Sequence, residues 1–164
     1  MIEVQEMDDK QIEELLHRVH YGHLACTDGK RPYLVPIHFA YSPPFVFIYT
    51  TEGKKSEIIR RNPHVCLQLE EVKDNTNWSS VILDGDAEEL TDNTLREEAI
   101  NAIAQVNPTL TPAVSIHWMD NWVRENIEVI YRITIRERSG RASVSRRDSR
   151  ATFTPSKKSR SPLH

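Results

Sequence analysis

Apolar positions along this chain change period several times, and each change marks an element. Ile12, Leu15, Leu16 and Val19 recur at i, i+3, i+4 and i+7 behind Asp8-Asp9. That spacing predicts an amphipathic helix, capped by an aspartate, that covers one end of the fold. The period then drops to two. Residues 21–27 read as a strand ending in an Asp28-Gly29 hairpin turn, and residues 32–41 as a second strand broken by Ser42-Pro43-Pro44. Residues 45–50 make a third strand. Residues 53–61 make a short helix with Ile58-Ile59 turned inward, stopped by Asn62-Pro63. Val65, Leu67 and Leu69 alternate with Cys66, Gln68 and Glu70 in a half-buried strand. A loop at 74–77 leads into a long strand over 78–90, with Gly85 inside it as a bulge. Asp92 caps a further helix with Leu95, Ala99, Ala102, Ile103 and Val106 on one stripe, ended by Pro108 and Pro112. Ile127, Val129, Tyr131, Ile133 and Ile135 define the last strand, which stops at Arg136. Strands joined by hairpins with few helices between them predict a mainly β, closed antiparallel barrel rather than a doubly wound sheet.

After Arg136 the apolar pattern ends. Residues 137–164 hold eight basic residues and two acids, a net +6, which leaves −9 on residues 1–136 out of a total of −3. The sequence therefore predicts one domain over 1–136 and a disordered, basic Ser/Arg-rich tail over 137–164 that lacks the apolar area to offset ordering entropy. An acidic body argues against a nucleic-acid-binding core, and the tail is left with weak, salt-sensitive contacts at most. Cys26 and Cys66 lie within apolar alternation and read as small core residues. No apolar run approaches the length that spans a membrane, and the acidic start does not follow the order of a secretory signal, so the cytoplasm is the expected location.

The candidate chemistry sits where the third strand meets the short helix. Tyr49, Thr50 and Thr51 precede Gly53, Lys54 and Lys55. Hydroxyls, free N–H groups at a helix start and fixed ammonium charge are what a phosphate needs. Read alone, Lys54 and Lys55 suit a solvated helix face; the Thr50-Thr51 and Asn62-Pro63 context turns the reading to a phosphate site. His17, His20 and His23 cross a helix-to-strand boundary, which argues against a shared metal. His117, Trp118 and Trp122 suit core or dimer packing, with a lid over a ligand as the alternative.

Taken in order, Val35-Pro36-Ile37-His38-Phe39, the 49–63 stretch, Val65-Cys66-Leu67, Trp78-Ser79-Ser80-Val81 and Gly85-Asp86-Ala87 resemble the pyridoxamine 5′-phosphate oxidase-related flavin-binding split barrels, in the flavour of the nitroimidazole-resistance-like subgroup. The resemblance covers roughly residues 8–136. It implies a Greek-key split β-barrel that forms homodimers, with flavin mononucleotide (FMN) in a groove at the interface. By position, Pro36, Ile37 and His38 edge the isoalloxazine ring, largely through backbone groups. Tyr49, Thr50 and Thr51 line the ribityl and phosphate end, and Lys54 and Lys55 hold the phosphate. Trp78, Ser79 and Ser80 flank the cofactor from either subunit. Many members of the subgroup carry a histidine just before the Gly-Lys segment, where this chain has Ile48-Tyr49-Thr50, so the resemblance speaks for flavin binding more than for nitroreduction.

The expected function is that of an FMN-dependent oxidoreductase acting on a small molecule, with no side-chain nucleophile and no firm catalytic residue. The alternatives are a non-catalytic flavin-binding or sensor protein and a split barrel that holds haem or a deazaflavin. Haem would need an axial histidine, for which His38 and His64 are the candidates.

Overall fold

A computed structural model describes residues 2–108 and 128–145. Eight strands and three helices follow in the order β1 (Ile2–Glu6), α1 (Asp9–Arg18), β2 (Tyr21–Thr27), β3 (Pro32–His38), β4 (Ala40–Ser42), β5 (Phe45–Thr51), α2 (Lys54–Arg61), β6 (His64–Asp74), β7 (Asn77–Glu89), α3 (Asn93–Val106) and β8 (Glu128–Ser145). All pairings are antiparallel, in the order β3-β2-β6-β7-β8-β5-β4, with β1 added to β8.

Closure follows from one residue. β3 and β4 stand at opposite ends of the sheet path, yet only Phe39 separates them in sequence. The two ends must therefore lie side by side, joined by the chain rather than by a ladder, which is a split barrel. Phe39 is itself buried, and its N–H donates to the His20 carbonyl. The single strand expected over 32–41 is thus two strands with a corner between them, because the chain stops pairing with β2 and starts pairing with β5.

β8 is the spine. One edge takes β7 along most of its length, and the other takes β5 against 128–134 and β1 against 141–145. The strand does not end at Arg136. Residues 137–145, assigned to the tail by the sequence pattern, continue it between β7 and β1. Residues 146–164 lie outside the described residues. The bulge expected near Gly85 is present, with the extra residue on the facing strand: Asp84 pairs with Glu137 and Gly85 with Ile135, which leaves Arg136 between them. A Cβ on Gly85 would come 2.4 Å from the Thr134 carbonyl oxygen, so glycine allows the two backbones to close. Arg136 then reaches sideways to Asp86, which also holds His64 Nδ1 at 2.6 Å.

Two apolar clusters fill the fold. The larger occupies the barrel and takes Ile12, Leu15 and Leu16 of α1 as its plug. An Asp8–Gln11 capping box starts that helix. The smaller lies between α3 and β4, β5 and β8.

Candidate functional site

The β5–α2 corner carries a concentrated cationic end. α2 starts at Gly53 with no side-chain cap, so its first N–H groups keep their positive partial charge. Lys54 and Lys55 occupy the first turn, where a cation opposes the helix dipole, and neither forms an ion pair among the described residues. Glu52, just before the helix, is bonded to Arg60 instead, and Glu57 of the same first turn pairs with neither lysine among the described residues. Lys54 Nζ sits 4.9 Å from the centroid of the Tyr33 ring. Lys55 Nζ donates to the Thr51 carbonyl at 3.4 Å. Burial holds the Lys55 ammonium below the usual lysine range, against the opposite pull of Cys26 and Glu52. The Ser56 hydroxyl, in the same turn, is fully buried. It lies near enough to the Tyr131 hydroxyl to offset part of the rise that burial gives that phenol, yet the two do not meet at hydrogen-bond geometry. Asn62 anchors the far end of the helix by donating to the Thr27 carbonyl at 3.0 Å. The corner has the donor and charge set that a phosphate requires.

Alternation along β5 divides its predicted residues. Thr50 is buried on the face that carries Val46 and Ile48 into the barrel. Tyr49 turns to the α3 side, packed beside Phe47. Its hydroxyl is pushed up to about 12 by burial and by Glu128. Thr51 contributes its carbonyl to Lys55.

The second group lies on the barrel's outer face. Leu24, Cys26, Ile37, Leu67, Leu69, Val81 and Leu83 point inward, so their neighbours in sequence point out. Pro36 and His38 are exposed on β3, while the Ile37 side chain is core and only its backbone could meet a ligand. The Phe39-to-His20 bond sets the phase of the β2–β3 ladder, so Leu34, Pro36 and His38 turn their backbone groups to the open edge. Pro36, which lacks an N–H, suits that edge. Trp78, Ser79 and Ser80 are half-buried at the start of β7. Ser80 faces outward beside Gln68. Across β6, Cys26, which lies beside Lys55, is level with Gly85, so Ser80 stands five positions further along β7, about 17 Å along the strand.

The outer face also carries exposed apolar side chains. The large hydrophobic side chains exposed among the described residues are Ile2, Val4, Tyr21, Leu34, Val72 and Ile82, between 42% and 62% exposed. Register places all six on this one face: Val72 opposite Trp78, Val4 opposite Ser143, and Ile82 opposite Gln68. Val72, Trp78 and Val4 fall in one row across β6, β7, β8 and β1, while Ile82 sits among Gln68, Ser80 and Ser139; apolar side chains grouped in a row suit an interaction surface.

Of the residues singled out from the sequence, Thr51, Lys54 and Lys55 come together at the corner, and Pro36, His38 and Ser80 share the outer face. Two neighbours are missing from that sequence reading: Tyr33 beneath Lys54, and Tyr21 opposite His38. His23, opposite Pro36, enters it only as a rejected metal ligand. Counting back from the Asp28-Gly29 turn finds both Tyr21 and His23. His17 instead lies on α1 beside Glu13, and no group of metal-ligating side chains occurs among the described residues. His117, Trp118 and Trp122 fall outside the described residues.

A split barrel with a cationic helix start and an apolar outer sheet is the setting in which comparison with other proteins becomes informative. The chain belongs to the pyridoxamine 5′-phosphate oxidase family, whose model matches residues 8–142. It is similar to a crystal structure of an FAD-binding protein from Mesorhizobium loti, at 28% identity and a TM-score of 0.70, over 88% of this chain and 100% of that one. It shares its fold with a candidate 5-nitroimidazole antibiotic resistance protein from Bacteroides thetaiotaomicron, at 20% identity and a TM-score of 0.65, over 87% of this chain and 89% of that one. An uncharacterised protein of Rhizobium meliloti (strain 1021) is 39% identical over 67 residues, 41% of this chain and 44% of that protein, so the match spans less than half of the relative's length. No helix among the described residues is long and apolar enough to cross a membrane.

Proposed function

We propose that the protein binds a flavin nucleotide, FMN, in a groove shared by two copies of the chain, and acts in the cytoplasm as an FMN-dependent oxidoreductase on a small molecule. The observation that carries this reading is the start of α2: an uncapped helix end with two lysines that have no carboxylate partner among the described residues. Those groups fit a phosphate that brings negative charge. The Mesorhizobium loti protein, which binds FAD by its name, supports a flavin as the phosphate's owner. A bound flavin supplies the electron transfer itself. This chain's share is to hold the phosphate with Lys54, Lys55 and the Thr51 region. It also offers the open backbone edge of β3 to the ring and covers the groove with the apolar outer face. Trp78, Ser79 and Ser80 lie five to seven positions along β7 from Gly85, the residue level with Cys26 beside Lys55, about 17–23 Å along the strand, and we assign their entry to the partner copy. Two free cysteines accord with a reducing compartment.

The test is the visible spectrum of the purified protein and the mass of the cofactor it releases. A flavin spectrum with FMN released is expected; FAD would correct the nucleotide, and a haem Soret band or a colourless protein that takes up no flavin would sink the reading. Replacing Thr51 and Lys55 together by Ala should weaken FMN binding roughly a hundredfold, the size of two lost contacts to a charged group. Unchanged affinity would place the phosphate elsewhere. For the redox half, the protein's flavin should be reduced by a nicotinamide and reoxidised by an acceptor faster than free FMN; failing that, the protein binds flavin without turning over.

A further inference from the structure

A hydrogen-bonded strip crosses β7, β6 and β2 on the outer face and connects Ser80 with the strand that pairs with β3. The Gln68 amide nitrogen donates to Ser80 Oγ and to the Glu70 carboxylate, both at 3.1 Å. With two acceptors on the nitrogen side, the orientation of the amide is fixed, and its oxygen is the atom that meets His23 Nδ1 at 3.3 Å. A carbonyl oxygen only accepts, so Nδ1 carries the proton. In the neutral ring Nε2 is then bare, an acceptor. Nε2 bonds to no described residue, and it is not among the buried atoms that lack a partner, so it faces solvent. His23 stands directly opposite Pro36. Tyr21, opposite His38, packs against both imidazoles, with ring centroids 5.8 Å and 5.2 Å apart.

The imidazole is thus aimed, with its tautomer set, at the surface where the β3 edge would meet a flavin ring. The polar edge of an isoalloxazine carries one imide N–H between two carbonyl acceptors, and that N–H needs an acceptor when water is excluded. We propose that His23 is a ligand-contacting residue of the flavin groove, its Nε2 accepting a hydrogen bond from the imide N–H, with Gln68 and Ser80 as positioning residues that fix the tautomer. This rests on the flavin reading above.

Two measurements test it. The first titrates FMN and its N3-methyl derivative into wild type and His23→Phe. Wild type should prefer FMN by about tenfold over the methylated ring beyond whatever preference the variant keeps, the size of one buried hydrogen bond. An equal preference in both proteins overturns the proposal while leaving flavin binding intact. If wild type binds neither flavin, the parent reading falls as well. The second needs no variant: side-chain 15N spectra of the flavin-free wild-type protein should show His23 protonated at Nδ1 and bare at Nε2, with the Nε2 signal moving on FMN addition. A proton on Nε2 in the flavin-free protein, or an Nε2 signal that ignores bound FMN, overturns it. Gln68→Leu should return the ring to a mixture of tautomers; retention of one tautomer removes Gln68 and Ser80 from the positioning role.

Discussion

Lys55 is an ammonium kept partly from water with no carboxylate bonded to it, and that makes its protonation a reporter of the site. Burial lowers its pKa in the folded protein. The unfolded chain therefore binds more protons in the window between the lowered folded value and the ordinary one, and the flavin-free protein gains stability from this group as pH rises through that window. Flavin affinity has the opposite sign, because a phosphate dianion favours the charged form and loses it once Lys55 deprotonates. Titrations between pH 7 and pH 10 should show FMN binding weaken by up to about tenfold. Lys55→Arg, whose guanidinium stays charged, should flatten the curve. Equal slopes in the two proteins would remove Lys55 from the phosphate site. The corner was legible in the sequence because its residues are contiguous, so Thr51, Gly53, Lys54 and Lys55 needed no register. Tyr21 and His23 were within reach of a count from the hairpin turn, but Gln68 was not, because its meeting with His23 and Ser80 depends on strand pairing that no short window contains.

At the scale of elements, α1 is held to the barrel by charged contacts as well as by its apolar face: Asp9 and Glu13 meet Arg138, and Arg18 meets Glu71. Tyr41 on β4 donates to Glu13 Oε1 at 2.6 Å, Arg138 on β8 bonds to the same oxygen, and His17 lies 3.4 Å from the other. Burial alone would raise the Glu13 pKa, but the Tyr41 hydroxyl and the Arg138 guanidinium outweigh it and hold the carboxyl below its usual range. Tyr41 is pushed up to about 12, by burial first and by Glu13 second. Because the folded carboxyl ionises below the unfolded one, its contribution is present above the unfolded pKa and is lost as pH falls through the folded value. Glu13→Gln should lower stability on the order of 1 kcal/mol at pH 7, discounted for the partial exposure of the pair. Urea denaturation should show that gap close in acid; a gap of the same size at pH 3 and pH 7 would mean the charge contributes nothing. The elements that sequence periodicity missed share a physical cause. β1 is exposed along its whole length, and β8 beyond Arg136 is mostly polar. Both are held by backbone pairing between neighbours rather than by a buried face, so they leave no alternation to read. The split of 32–41 at Phe39 was hidden for the reverse reason, since apolar residues continue through a corner.

For the molecule as a whole, the exposed apolar side chains decide what covers the outer sheet. Six large ones lie on a single face that also carries Pro36, His38 and Ser80. Two copies meeting through this face would bury that area and bring the Trp78–Ser80 end of one chain toward a ligand held by the other. Ile82 is the most direct probe, since its side chain is 42% exposed and flanked by Gln68 and Ser139, away from the lysines. Ile82→Arg should leave the fold within about 0.5 kcal/mol of wild type, as expected for an exposed position. A charge buried without a partner in the dimer should instead shift the protein to monomer in sedimentation equilibrium. If the groove is shared, FMN affinity should fall with it by at least about tenfold, and raising the protein concentration should restore part of it. A variant that stays dimeric would place the interface on another face. A monomer that binds FMN as tightly as wild type would keep the interface but confine the flavin site to one chain, and Trp78, Ser79 and Ser80 would then have no part in it.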